Sequence, residues 1–463
     1  MRGIEQIGYE NVKQPAADGT GIPVLLSDET MKQRYEAVMA RMQEEKLDAL
    51  VIYADLEHGH NFAYLTGFLP RFEEALLILH RNGRNYMIMG NENLNKVPFA
   101  RIKATANHAP YFSLPNQPME GEQSLCDTLK AAELGAGKRV GIVGWKNFTS
   151  KKEDNTQLYE VPSYLVDEIR RLVGPEGFLC NAAYIFIGEG GVRCVNNPNE
   201  LAHYEFGAAL ASDCMLKAMN HLDTGVSELK LGEDLQGLGQ KNSVVTIAAA
   251  GKRFEKANLY PLAKEVKLGD TISLTVGYRG GLSSRSGYAV HHESELPADA
   301  AGYLEKVVMP YYCAVVTWLE QIHCGMKGGE LYCLIEEVLP KADYHWRLCP
   351  GHLTADEEWM SSPIYEGSEE VLESGMLFQI DIIPSVPGYA GTSAESTVAL
   401  ADQRLQEKLK EEEPGLWQRI KRRRAYIEQE LKIRLHPDVL PMCSTVAYLR
   451  PYLLNKDKAM CVR

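Results

Sequence analysis

The residues best suited to acid–base chemistry or to holding a cation fall in the last third of this chain. His352 closes Leu348-Cys-Pro-Gly-His352, Asp381 stands in Phe378-Gln-Ile-Asp-Ile-Ile-Pro384, and Glu395 in Ala394-Glu-Ser-Thr-Val398. Imidazole titrates near neutral pH, and carboxylates accept either protons or cations. Upstream, Ser273-Leu-Thr-Val-Gly-Tyr-Arg-Gly-Gly-Leu-Ser-Ser-Arg-Ser286 is rich in hydroxyls and holds no carboxylate. Any reading of function has to account for both the acids that are present and those that are missing.

Positioning these residues takes two sets of elements. In the first part of the chain, Ser27-Asp-Glu-Thr30 opens an amphipathic helix running to about Lys46. Apolar runs at 49–53, 74–79 and 85–89 read as strands, with Arg81-Asn-Gly83 as the turn between the last two. Segments 139–143 and 161–173 continue the alternation, which ends near Gly191. A second domain starts at Asn197-Pro-Asn-Glu200, a helix-start signal for a helix reaching about Leu222. Strand-like segments at 243–249 and 271–276 follow, then helices over 298–323 and 329–341, and strands over 376–383 and 393–401. The expected division is 1–190 and 191–463, an α/β domain followed by an α+β domain.

The 463 residues suffice for two cores, and 45% apolar with 24% charged content is ordinary for a soluble protein. A net charge of −13 argues against nucleic acid or an anionic membrane as the main partner. The basic run Lys421-Arg-Arg-Arg424 follows the acidic run 411–413 and reads as the solvated face of a helix. Ten cysteines without CxxC pairs read as reduced thiols, and no apolar run approaches the ~20 residues of a membrane span. These features lead one to expect a soluble, cytoplasmic protein.

The order of the pieces resembles the creatinase / prolidase / aminopeptidase P family. Asn61-Phe-Ala-Tyr-Leu-Thr-Gly-Phe68 is similar to that family's Y-L-T-G-F segment. Asn199-Glu200, Val266-Lys-Leu-Gly-Asp270, Pro350-Gly-His352, Ser374-Gly-Met-Leu-Phe378 and Glu395-Ser-Thr-Val398 follow in family order. The resemblance implies a creatinase-like N-terminal α/β domain and a C-terminal "pita-bread" α+β domain, assembled as a homodimer.

Peptidases of that family hold two divalent metals with two Asp, one His and two Glu. By resemblance, His352 falls at the ligand His, Asp381 at the first Glu and Glu395 at the last Glu. The first Asp position, six residues after Gly269, is Thr275; the second, eleven further on, is Ser286, or Arg285 if the loop is one residue shorter. The family's upstream catalytic His aligns with Asn258, and its second His is replaced near Glu358 and Trp359. One imidazole and two acids could hold a single divalent metal weakly but could not bridge a pair, so no cofactor is expected.

Three functions stay open on these residues. The preferred one is metal-independent, creatinase-like hydrolysis of a C–N or amide bond in a small charged metabolite. In it, His352, Asp381 and Glu395 are catalytic, the acids raise and orient the imidazole, and Asn258, Thr275, Arg285 and Ser286 contact substrate, with Arg285 gripping a carboxylate. Phe72, Glu73 and Glu74, just past the Y-L-T-G-F segment, are further substrate contacts, the glutamates suited to a cation. The alternatives are a pseudoenzyme binding a peptide or small ligand, and an ordinary Xaa-Pro peptidase.

Overall fold

The computed structural model describes residues 2–19, 22–252 and 260–463. The chain divides into two compact units, Leu26–Cys194 and Met1–Leu25 together with Val195–Arg463.

The first unit is built on a six-stranded mixed sheet. Its strands run in the order Thr105–His108, Asn85–Met89, Ala75–His80, Ala49–Ala54, Arg139–Val143 and Phe178–Asn181. Ala49–Ala54 and Ala75–His80 are buried at every position. That is why they read as unbroken apolar runs rather than alternating ones. The helix Asp28–Glu44 starts where its cap residue predicts, Ser27 accepting the Thr30 N–H at 3.0 Å. Ser163–Val173 buries Leu165, Val166, Ile169 and Val173 in a core shared with Val51, Ile78 and Ile142.

The second unit holds two four-stranded antiparallel sheets. The first runs Ser393–Glu395, Gly281–Tyr288, Thr271–Tyr278, Ile247–Ala250; the second runs His352–Leu353, Leu377–Gln379, Thr397–Leu400, Val439–Pro441. The helix Pro198–His221 opens with the expected capping box, Asn197 and Glu200 each accepting the other's main-chain N–H at 2.9 Å. The helix expected over 298–323 is continuous only from 304. A wide turn at Leu304–Val308 leads into Met309–Gln321, and 298–300 is a separate short turn.

Two expectations are corrected here. Residues 1–25 do not join the first unit: Ile7–Asn11 pairs antiparallel with Lys458–Val462, so the two ends of the chain close one ladder. A strand's partner is chosen by exposed ladder groups, not by sequence distance. The basic run is not wholly solvated either. It lies on the helix Pro414–Gln429, where Arg423 is buried and pairs with Asp18 at 2.9 Å and with Glu205 at 2.5 Å. Arg419 pairs with Glu205 as well, and Asp18 also accepts the Ser444 N–H at 2.8 Å.

Removing this buried cation leaves Glu205 only the partly exposed Arg419 and Asp18 only the exposed Arg422, a loss of about 3 kcal/mol, the lower end of the range for a broken buried ion pair. Arg423→Ala is therefore expected to lower unfolding free energy by an amount of that order in urea denaturation, with Arg422→Ala nearly silent. Equal small effects would show that the buried pairs are energetically idle.

Candidate active site

The tight turn of one hairpin sets the geometry of the site. Tyr278 pairs with Gly281, leaving Arg279 and Gly280 as a two-residue loop. Gly280 has φ +96°, and a Cβ there would stand 2.2 Å from the Tyr204 carbonyl oxygen of the long helix. The turn thereby places Ser284 opposite Thr275, and Ser284 lies opposite Glu395 on its other side. Side chains in one rung share a face, so Thr275, Ser284 and Glu395 stand in a row. The Thr275 and Ser284 hydroxyls are 3.0 Å apart and bond each other.

This register corrects the count made along the sequence. Residues eleven apart do face each other in this hairpin, Leu274 with Arg285, but on the opposite side of the sheet. Ser284, not Ser286 or Arg285, completes the row. Ser286 belongs to the next rung, with Ser273 and Ser393, its hydroxyl 3.4 Å from that of Ser273. Arg285, expected to grip a carboxylate, has no donor left to offer one. It is fully buried, and its guanidinium donates to the carbonyls of Tyr448, Ser284, Glu395 and Thr445 and to Ser396 Oγ. Five bonds exhaust its five donors. Asn258 lies outside the described residues.

His352 is brought to the same place by the Pro-Gly-His turn. The Trp318 indole donates to the Pro350 carbonyl at 2.8 Å. Gly351 has φ +135°, and a Cβ would lie 3.1 Å from the Gln379 carbonyl oxygen, so only glycine lets the chain pass. His352 then pairs with Gln379, two residues before Asp381. The imidazole is 1% exposed, and its Nδ1–H donates to the Leu353 carbonyl at 3.2 Å. That tautomer turns the Nε2 lone pair toward Asp381 Oδ2 and Glu395 Oε1, each at 3.9 Å. Potential ligand atoms of His352, Asp381 and Glu395 all lie within 4.8 Å of one another.

Burial dominates the electrostatics, and it reverses the expectation that the acids would raise the imidazole. Loss of water drives the His352 pKa down to about 4, only partly offset by the Leu353 carbonyl. Burial, then the charge of Glu358, pushes Asp381 up to about 7. Glu395 is raised well above the usual carboxylate range by burial and by the charges of Asp381 and Glu358, with Arg285 opposing. Between about pH 4 and pH 7 the site thus holds a neutral base beside an Asp381 carboxyl that keeps its proton.

Two neighbours escaped sequence reasoning except as replacements for a histidine. Glu358, itself raised by burial, acts on both acids. Trp359 stacks on the His352 ring with centroids 4.0 Å apart and planes at 22°. Cys349 has its thiol pushed up by burial, the wrong direction for a nucleophile.

The cluster fits one cation better than two. Among the described residues the buried Asp381 Oδ1 has no hydrogen-bond partner, which suits a ligand atom. A pair of metals would need anionic oxygens where Thr275 and Ser284 supply neutral hydroxyls already bonded to each other.

The three expected contacts of the first unit lie around a cavity of about 420 Å³ that also includes Asp55, His58 and Ser113. Glu73 is corrected from ligand contact to brace: it is 2% exposed and accepts from the Glu92 N–H and the Asn93 side chain. Glu74 accepts from the Tyr53 and Tyr164 hydroxyls at 2.9 and 2.8 Å. Phe72 is exposed, at φ +65°.

Residues 34–143 match the sequence profile of the Creatinase/Prolidase N-terminal domain. Solved structures with the same fold include a prolidase from Thermococcus sibiricus, at 17% identity and TM-score 0.62, covering 81% of this chain and 95% of that one. The dipeptidase PepE from Mycobacterium ulcerans aligns at 16% identity and TM-score 0.61, over 81% and 94%. The Xaa-Pro dipeptidase from Bacillus anthracis aligns at 15% identity and TM-score 0.58, over 80% and 94%. No curated protein sequence matches the chain. The chain therefore has the architecture of the creatinase/prolidase proteins: their N-terminal domain followed by a pita-bread unit. Among the described residues no helix is long and apolar enough to cross a membrane.

Because Asp381 binds its proton more tightly folded than unfolded, its contribution to stability is complete below about pH 4 and is lost as pH rises to about 7. His352 acts in the opposite sense, which makes a difference measurement the clean one. Asp381→Asn is expected to gain stability relative to the parent protein between pH 4 and 7, by on the order of 4 kcal/mol for about three pKa units. Parallel pH profiles for the two proteins in chemical denaturation would contradict the assigned shift.

Proposed function

We propose that this protein hydrolyses a C–N or amide bond of a small charged metabolite without a dinuclear metal centre. The observation that carries the reading is the Thr275–Ser284–Glu395 row, in which two self-bonded hydroxyls stand beside one acid. The pairing of a neutral His352 with protonated carboxyl groups supports direct acid–base catalysis.

In this mechanism His352 Nε2 takes a proton from a water as its oxygen attacks the carbonyl or amidine carbon. The Asp381 carboxyl gives its proton to the departing nitrogen as the C–N bond breaks. Transfer of the proton from the His352 imidazolium back to Asp381 restores the starting state. Glu395 holds a proton and keeps the cluster from accumulating charge, and Thr275 and Ser284 offer hydroxyls to the polar atoms of the substrate. Homodimeric assembly is part of the same proposal.

A second reading is favoured by the 4.8 Å spacing and the unpartnered Asp381 oxygen: one divalent cation held by His352, Asp381 and Glu395. Such an ion would supply Lewis-acid polarisation of the scissile group. The fold shared with prolidases and an Xaa-Pro dipeptidase makes X-Pro peptides necessary members of any substrate panel.

Protein dialysed against manganese is expected to retain no more than one equivalent by elemental analysis, and chelators to leave turnover of the active substrate intact. Two retained equivalents, or chelator-dependent turnover, would sink the metal-independent reading. Across N-methylguanidino acids, X-Pro dipeptides and cyclic amides, His352→Ala should cost on the order of 10²–10⁴ in kcat. Complete inactivity of the parent protein on the whole panel would instead indicate a binding module.

The pH profile gives an independent check. Activity should rise as His352 loses its proton at about 4 and fall as Asp381 loses its own at about 7. A rate that keeps climbing from pH 7 to 9 would contradict Asp381 as the acid.

A further inference from the structure

We infer that the cavity of the first unit is a binding site for a small organic amine, taken as an ammonium head on an apolar body. All of its lining residues belong to Leu26–Cys194, so the inference does not rest on the reading of His352, Asp381 and Glu395.

Two strand ends build the cavity. Ala54 pairs with Ala75, so Asp55 and Glu74, the next residues outward, leave the sheet side by side. The Tyr53 hydroxyl joins them, 2.9 Å from Glu74 Oε1 and 3.5 Å from Asp55 Oδ2. The Glu74 N–H donates to the Phe112 carbonyl at 3.2 Å, which ties in the third lining loop, residues 112–114. The space between them, about 420 Å³, falls in the range of small-molecule sites.

One side of the cavity is apolar. Leu56, Phe72 and Leu114 line it at 46–47% exposure, together with the buried Phe112. Covering such surface with the apolar body of a ligand is favourable in proportion to the area removed from water.

The other side is acidic. Asp55, Glu57, Glu73 and Glu74 line the cavity, with no lysine or arginine among its lining residues. Every residue of the first unit is described, so this inventory is complete for the unit. Two groups offset part of the charge: His58 Nδ1 lies 3.2 Å from Asp55 Oδ2, and the Arg71 guanidinium lies 4.6 Å from the centre of the Phe72 ring. Burial works against ionisation of Asp55, but bonds from the His58 and Glu57 N–H groups and the His58 imidazole outweigh it and hold the carboxyl below its usual range. Glu74 is presented by two tyrosines. One of its oxygens accepts from Tyr53 and the other from Tyr164, at 2.9 and 2.8 Å. Burial, then the charge of Glu74, raises both phenols, so they remain donors. Each oxygen of Glu74 keeps a lone pair for a further donor.

A ligand has to suit both sides at once. A hydrated metal ion would leave the apolar side wet, an anion would be repelled, and a neutral amphiphile would leave the excess negative charge unmatched. An ammonium on an apolar body meets both requirements.

The full chain is titrated by calorimetry with phenethylammonium, 2-phenylethanol and hydrocinnamate, which are similar in size and differ in charge, and with methylammonium, which lacks the apolar body. Phenethylammonium is expected to bind at least about tenfold more tightly than each of the others. Glu74→Gln and Asp55→Asn should each cut its preference over 2-phenylethanol several-fold. Phe72→Gly, which suits the φ of +65° there, should weaken both probes alike. Circular dichroism confirms that each variant is folded, and Asp55→Asn keeps the test valid if Glu74→Gln is not. His352→Ala should bind phenethylammonium as tightly as the parent protein does. Binding lost in that variant would assign the amine to the second unit and overturn the inference. Absent binding of phenethylammonium, equal or tighter binding of another probe, or a preference unchanged in both acid variants would overturn it as well. Manganese chloride is the remaining arm: Mn²⁺ that displaces phenethylammonium would assign the acids to an inorganic cation and overturn it too. The hydrolytic reading fails separately, on metal stoichiometry and chelator sensitivity, which binding in the first unit does not depend on.

Discussion

Three titratable groups held within 4.8 Å of one another, out of water and, among the described residues, without a free cation, set the terms for the site of the second unit. Such a cluster cannot stay fully charged. Burial lowers the imidazole and raises the acids, which draws the group toward neutrality. Where the resemblance would place two further acids, this hairpin carries hydroxyls. The substitution is economical: Thr275 and Ser284 satisfy each other and ask nothing of their surroundings.

Holding the cluster in place falls to groups bonded to the main chain around it. Arg285 ties the strand Gly281–Tyr288 to the carbonyl of Glu395 and to the segment around Thr445 and Tyr448, so one buried guanidinium sets three pieces of chain in register. Trp318 and Gly351 shape the turn that delivers His352. Arg423 does the equivalent elsewhere in the unit, drawing Asp18 and Glu205 to the helix Pro414–Gln429. Both arginines are buried, yet they are used differently. Arg423 neutralises carboxylates, while Arg285 spends itself on main-chain carbonyls and leaves the nearby acids to find protons.

Much of the scaffold was legible along the chain because its signals are local. Unbroken apolar runs marked the central strands of the first unit, the Asn197–Glu200 capping box marked the start of the long helix, and Pro-Gly-His marked the turn before the candidate base. The partnership of the two chain ends was not legible, since nothing in Ile7–Asn11 names Lys458–Val462 as its complement. Nor was the burial of Arg423, which sits in a run of four basic residues that differ only in which side of the helix they occupy. Glu358 and Trp359 carried no motif of their own; their role is a matter of what they lie against.

The residue types at the site were settled by sequence alone: His352, Asp381 and Glu395 are present, and hydroxyl residues occupy the hairpin where the resemblance would put acids. Which of those hydroxyls stands beside Glu395 was decided by the two-residue turn at Arg279–Gly280, because a strand's side chains alternate and a shift of one position sends each to the other face. The same alternation turned Arg285 from an expected ligand contact into a buried tie. The protonation of the cluster likewise had to wait for the fold, since a pKa in the interior follows from how much water and which charges surround the group, and no linear sequence contains that distance.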